Sequence, residues 1–225
     1  MAASEDTTSV RTWLRSLDAF PSRLPTFDPA AAPAEPVELF LAWLTEAVEA
    51  GEPGPHAMTL STVDEQGDPW ARVLILKNVD AAGWQFAAHA GSPKGRQLAA
   101  HPSAALTFYW PGRGRQIRIR GAVTPGSADA NAADFLARSP AARAEALLGH
   151  QSRHLDNLAH RDASITESAR RVEQNPDLVA EDWTLYTLAP VAVEFWQAAE
   201  TRVHTRLRYE RARPEAEWER HLLWP

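Results

Sequence analysis

Four basic side chains recur at every second position near the carboxyl end: Arg202, His204, Arg206 and Arg208, with Val203, Thr205, Leu207 and Tyr209 between them. In a strand that period puts the cations on one face and the remaining side chains on the other. Like charges so close together repel, so an anionic ligand or an acidic neighbour is expected opposite them. A solvated outer face suits the same pattern. Three more places carry basic or amide groups off the core. Gln116, Arg118 and Arg120 alternate with Ile117 and Ile119. Residues 72–77 (RVLILK) are apolar on both faces between two cations, as in a strand buried on both sides whose charged ends meet a partner. An ordinary surface arginine at a strand start is the plain alternative. Ser92-Pro93-Lys94 offers a helix N-cap, a proline at the first helical position and a lysine. Free N–H groups, the helix dipole and a full charge would there converge on an anion.

The elements that must position these groups follow from hydrophobic period and turn residues. Residues 9–17 have a short helical period, and residues 21–36 carry five prolines and four alanines, which makes them an extended connector. Val37, Phe40, Leu41, Leu44 and Val48 mark a helix opened by Pro36 and stopped at Gly51. MTLSTV, the turn Asp64-Glu65-Gln66-Gly67 and WARVLILK read as a β-hairpin. Further strands are expected at 84–89, 104–110, 116–123, 184–188, 191–196 and 202–209, with a last one at 218–224. Helices are expected from Ser92, over 129–146 with a break at Ser139-Pro140, and over 165–173. Short strands at hairpin spacing with helices in the gaps indicate an α+β barrel, not a doubly wound parallel sheet.

A chain of 225 residues suffices for one sizeable domain. The absence of cysteine excludes disulfides, thiolate metal sites and cysteine nucleophiles. A net charge of −6 argues against a nucleic-acid or anionic-membrane surface, though not against one small anion held by a local cluster. No apolar run approaches the ~18 residues of a membrane span, and no charged-then-apolar start with a cleavage site is present, so a cytoplasmic location is expected. The nine tryptophans are expected in core and interface packing.

In order along the chain, AMTLSTVDEQG (57–67), ARVLILK (71–77), SPKGRQLAAHP (92–102), ALTFYW (105–110), RQIRIRG (115–121), HQS (150–152), VEFWQ (193–197), RVHTRLRY (202–209) and the terminal LLWP resemble the pyridoxamine 5′-phosphate oxidase family. The resemblance implies an FMN-binding split β-barrel, Greek-key-like and antiparallel with flanking helices, over residues 27–225, preceded by an N-terminal arm with a short helix at 1–26. It implies a homodimer with two FMN molecules at the subunit interface. Arg72 and Lys94 would hold the FMN phosphate, and the backbone of Val73, Leu74, Ile75, Leu76 and Lys77 would run along the flavin. Gln116, Gln151, Ser152, Trp196 and Arg206 would complete the cofactor site, with Gln151 and Ser152 expected from the second chain. Lys77, Arg138, Arg202 and His204 match substrate positions, the last two being the catalytic pair over the flavin. The implied reaction passes a hydride from a small substrate to flavin N5, and oxygen takes the electrons to give hydrogen peroxide, with no metal.

The departures from the family pattern cluster. Asp134 and Ala142 stand where the family has Tyr and Ser around the substrate-phosphate Arg138, and Pro93 and Ala87-Ala88 replace ligands of the FMN phosphate. Thr205 replaces an Asp, and Ala198-Ala199 a Gly pair. These changes predict retained but weaker FMN binding and poor use of pyridoxamine phosphate. Two other readings accompany the first: a same-fold oxidase of another metabolite, like the phenazine-pathway relatives, and a non-catalytic flavin-binding protein. Retention of Arg202 and His204 favours an oxidase over a mere binder. A heme- or deazaflavin-binding barrel is less expected, since those lack an RVHTR-like segment.

Overall fold

The computed structural model describes residues 9–21 and 23–225; the first eight residues of the expected N-terminal arm, and Ser22, lie outside the described residues. Ser9 accepts the Thr12 backbone N–H and starts α1 (Val10–Arg15), none of whose side chains is buried. The proline-rich connector that follows holds one 3-10 turn, Pro29–Ala31. Pro36 occupies the first turn of α2 (Pro36–Glu49), where a missing N–H breaks no helical bond. Leu39, Phe40, Trp43 and Ala47 form its buried face. Gly51, with φ 71°, ends it in the left-handed conformation that glycine adopts without strain.

The remaining elements in order are β1 (Ala57–Val63), β2 (Pro69–Ile75), β3 (Asn78–Asp80), β4 (Gly83–His89), α3 (Pro93–Ala100), β5 (Ser103–Trp110), β6 (Arg115–Pro125), α4 (Ala128–Leu136), α5 (Pro140–Ala146), α6 (Leu158–Gln174), β7 (Trp183–Gln197), β8 (Thr205–Glu210) and β9 (Glu219–Leu222). The strands form one antiparallel sheet in the order β2-β1-β5-β6-β7-β4-β3, with β8 and then β9 branching from β7. The sheet curls into a half-barrel with helices against it, the α+β split barrel expected from the sequence. Phe40 of α2 packs edge-on to Trp84 and Phe108 at 5.4 and 4.9 Å, and Trp43 edge-on to Phe195 at 5.2 Å, so α2 packs on the core of the sheet.

Four sequence expectations need correction. The segments 184–188 and 191–196 are one strand, β7, because a bulge at Val191 carries the chain past Pro190: Arg120 pairs with Ala192 and Gly121 with Pro190. Gly121 is required there, since a Cβ would lie 1.9 Å from the Ala189 carbonyl oxygen. Second, residues 72–77 are not buried on both sides. β2 is the sheet edge and stops at Ile75; Val73 and Ile75 are 66% and 46% exposed, while only Leu74 and Leu76 pack on the core. Third, the strand expected at 202–209 begins at Thr205; Arg202 has φ 61° and sits in a turn closed by its N–H to the Ala199 carbonyl. Arg202 and His204 therefore share no strand face with Arg206 and Arg208. Fourth, the helix expected at 165–173 starts at Leu158, where Asn157 caps it by accepting the His160 N–H. No described helix is long and apolar enough to cross a membrane.

Candidate functional site

Two groups of charged and aromatic side chains stand out. The first gathers where the end of β2 meets the start of α3. Ser92 accepts the Gly95 N–H, Pro93 takes the first helical position, and Gly95 lets the turn press on β4, since a Cβ there would lie 2.3 Å from the Ala90 carbonyl oxygen. This places Lys94, only 6% exposed, with its Nζ donating to Gln151 Oε1. Arg72 reaches the same region from β2: Nη1 donates to Thr62 Oγ1 at 2.6 Å and Nη2 to Gln97 Oε1 at 3.1 Å. Burial pushes the Lys94 ammonium below its ordinary range, the nearby Arg72 charge adds to this, and Glu145 opposes it. Burial likewise lowers the Arg72 guanidinium. Both cations hydrogen-bond only neutral oxygens, an arrangement suited to a bound dianion.

Beside them opens a cavity of about 260 Å³. Val73, Leu74, Ile75 and Lys77 form one wall, Ala87, Ala88 and His89 of β4 another, with Arg138, Glu145, Gln151 and Trp183 closing it. At its far side Lys77 Nζ lies 3.1 Å from Asp134 Oδ1, and Trp183 Nε1 donates to Asp134 Oδ2 at 2.8 Å. The Arg138 guanidinium stacks 4.2 Å from the Trp183 ring centroid, donates to the Ala142 carbonyl at 2.9 Å and lies 4.0 Å from Glu145. His89, buried, pairs through Nδ1 with Asp182 at 2.8 Å and stands edge-on to Trp183.

The second group spans three strands. Gln116 of β6 pairs with Trp196 of β7, which pairs with Arg206 of β8, so three expected cofactor residues form one cross-strand row. The acidic neighbour anticipated for the basic strand is Glu194, 7% exposed: its Oε1 accepts from Arg206 Nε and Nη2 at 3.0 and 2.9 Å, and its Oε2 from Arg118 at 2.5 Å. Arg202 and His204 line a separate cavity of about 310 Å³ with Phe20, Leu24 and Ala199.

Of the expected residues, the structure thus brings together Arg72 to Lys77, Lys94, Arg138 and Gln151 on one side, and Gln116, Trp196 and Arg206 on another, with the His204 ring tilted against Trp196 at 4.8 Å between centroids. Gln151 was expected from a second chain; it meets Lys94 within one chain. Ser152 is exposed, with φ 69°. Thr62, Gln97, His89, Glu145 and Trp183 were missed. Gln97 alone left a signal, three residues after Lys94 on the same helix face; Thr62, His89 and Trp183 meet the site only through the sheet, and Glu145 through α5.

The model for the pyridoxamine 5′-phosphate oxidase family matches residues 44–173, and that for the pyridoxine 5′-phosphate oxidase C-terminal dimerisation region matches residues 183–225. The chain belongs to the pyridoxamine 5′-phosphate oxidase family. A pyridoxine/pyridoxamine 5′-phosphate oxidase of Pseudomonas syringae pv. tomato is 41% identical over 198 residues, covering 87% of this chain and 91% of its own. One from Thermosynechococcus vestitus is 41% identical, covering 86% and 90%. The solved structure of PhzG from Burkholderia lata 383 in complex with tetrahydrophenazine-1-carboxylic acid has a TM-score of 0.82 at 30% identity, covering 92% of this chain and 100% of that one. A pyridoxamine 5′-phosphate oxidase-related, FMN-binding protein of Nostoc punctiforme shares the fold, with a TM-score of 0.67 at 20% identity, covering 85% and 98%. Pyridoxamine 5′-phosphate oxidase family membership makes the chain an oxidoreductase of this FMN-binding split-barrel fold.

Proposed function

We propose that this protein is an FMN-dependent oxidase working as a homodimer, in which a small reduced substrate is oxidised and oxygen becomes hydrogen peroxide. The observation that carries this reading is the convergence of buried Lys94, at the start of α3, and half-buried Arg72 of β2, two cations whose hydrogen-bond partners are neutral. They would hold the phosphate of FMN, while the backbone of Val73 to Lys77 runs along the ring and Gln116, Gln151, Ser152, Trp196 and Arg206 complete the cofactor site. Bound FMN would supply an acceptor for two electrons and a hydride at N5. Lys77, Arg138, Arg202 and His204 would orient the substrate, Arg202 and His204 at the carbon that loses hydride.

The dimer is supported by three features. The match to a dimerisation region covers β7 to the end of the chain. The edge strand β2 presents Val73 and Ile75 outward, an apolar edge that a second copy would cover. Arg202 and His204 line a different cavity of the chain from Lys77, Lys94 and Arg138, so a second protomer would bring Arg202 and His204 to the first cavity.

The test is purification, identification of any released flavin by chromatography, mass by light scattering, and oxygen uptake with pyridoxine phosphate, pyridoxamine phosphate and dihydrophenazine carboxylic acids. FMN, a dimer and peroxide formation with at least one reduced substrate are expected. Released FAD, failure to bind FMN on reconstitution, or a monomer holding stoichiometric FMN would overturn the reading.

A further inference from the structure

The first cavity carries its charges unevenly. At the α3 end, among the described residues, Arg72 and Lys94 hydrogen-bond only neutral oxygens, those of Leu60, Thr62, Trp70, Gln97 and Gln151. At the α4 end each cation lies within 4.0 Å of a carboxylate: Lys77 is 3.1 Å from Asp134, and Arg138 is 4.0 Å from Glu145, whose charge also acts on Lys94. Asp134 is doubly anchored, because its second oxygen accepts the Trp183 indole N–H at 2.8 Å. Turning it away would leave both an ammonium and an indole N–H without their partner, which a half-buried site resists.

We infer that the substrate of this protein carries no phosphate. Asp134 is a built-in carboxylate that occupies Lys77, and the cavity takes an oxidisable small molecule that is uncharged at the α4 end. The inference rests on assigning Arg72 and Lys94 to the flavin phosphate, which leaves the α4 end for the substrate. A phosphate drawn to Lys77 would have to lie within about 6 Å of the Asp134 carboxylate, a like-charge contact that lowers affinity roughly a hundredfold per unit charge at an effective dielectric near 20. An uncharged group leaves the Lys77–Asp134 pair intact. Arg138 offers a phosphate no easy substitute: its guanidinium carbon lies over the Trp183 ring, 4.2 Å from the centroid, and one terminal nitrogen is given to the Ala142 carbonyl.

The test uses the FMN-reconstituted protein and the matched pair pyridoxine and pyridoxine 5′-phosphate, which differ only in the phosphate. Their dissociation constants are read from the perturbation of the flavin absorption spectrum under anaerobic conditions, before and after Asp134→Asn, a change that keeps an acceptor for the Trp183 N–H. The wild type is expected to bind the phosphate ester no better than pyridoxine. Asp134→Asn is expected to strengthen the ester about tenfold or more relative to pyridoxine measured on the same variant. A wild type that prefers the ester by a hundredfold overturns the inference while leaving the flavin assignment standing, and this outcome does not depend on the variant folding. Failure of the wild type to bind FMN in the same titration overturns the flavin assignment and the inference with it.

Discussion

His204 Nδ1 accepts the Ala199 backbone N–H at 3.1 Å, closing the loop between β7 and β8 and holding the imidazole 4.8 Å from the Trp196 ring. In the neutral ring the proton then resides on Nε2, the nitrogen left to donate. Two residues earlier Arg202 sits at φ 61°, a backbone state that costs a side-chain-bearing residue about 1 kcal/mol or more.

That strain gives a two-sided prediction for Arg202. Arg202→Gly should leave the melting temperature equal or higher, since glycine relieves the left-handed backbone, while turnover falls by about 10²-fold. His204→Ala should lower turnover comparably with FMN affinity nearly unchanged. Thermal melts, flavin titration and steady-state oxygen uptake check both variants; unchanged turnover in either would remove that residue from the catalytic pair.

Lys94→Glu replaces a buried partner of the proposed phosphate with a repelling charge. FMN affinity should fall at least about a hundredfold, on the order of 3 kcal/mol, and Lys94→Gln should fall less. Quenching of flavin fluorescence on binding measures both.

The depressed Lys94 pKa sets the sign of a pH dependence. The free protein holds this ammonium less firmly than the ordinary 10.5 because of burial and Arg72, and a phosphate would favour its charged form. FMN affinity should therefore weaken as pH rises through a value below 10.5, with proton uptake on binding in that range. Titrations between about pH 7 and about pH 10 should show the decline, and Lys94→Gln should flatten it.

Gly121→Ala tests the bulge. Its Cβ would meet the Ala189 carbonyl oxygen at 1.9 Å, and a contact between two backbones cannot be relieved by a side-chain turn. A loss of about 3 kcal/mol is expected, near 6–12 °C in melting temperature. An unchanged melt would show that the bulge shifts freely.

Legibility in the sequence followed the range of the interactions. The β1–β2 hairpin could be read because Met58, Leu60 and Thr62 alternate, and α2 because Val37, Phe40, Leu41, Leu44 and Val48 keep a helical period. Leu41 and Val48 are nevertheless exposed, and the buried face turns on Leu39, Phe40, Trp43 and Ala47. The basic sites of Arg72 and Lys94 were visible as cations at element ends. Ala189-Pro190 looked like a stop, and only the pairing with β6 shows that the strand runs on through a bulge. The RVHTR alternation suggested a strand, but the β7–β8 ladder starts at Thr205, leaving Arg202 free to turn. Glu194 as counter-charge, and Asp134 as partner of Lys77 across 57 residues, depend on which strands and helices lie side by side. No local pattern encodes that.

β7 runs 15 residues, carrying Trp183 at one end and Trp196 and Gln197 at the other, with its bend fixed midway by Gly121 and Pro190. One continuous beam would thus frame the proposed substrate pocket at its head and the proposed flavin-facing row at its tail. In the proposed homodimer each composite site would join the head of one beam to the tail of its twin. The elbow angle would then act as a shared gauge for both centres, so a substitution there, far from any ligand, should misalign the two centres equally.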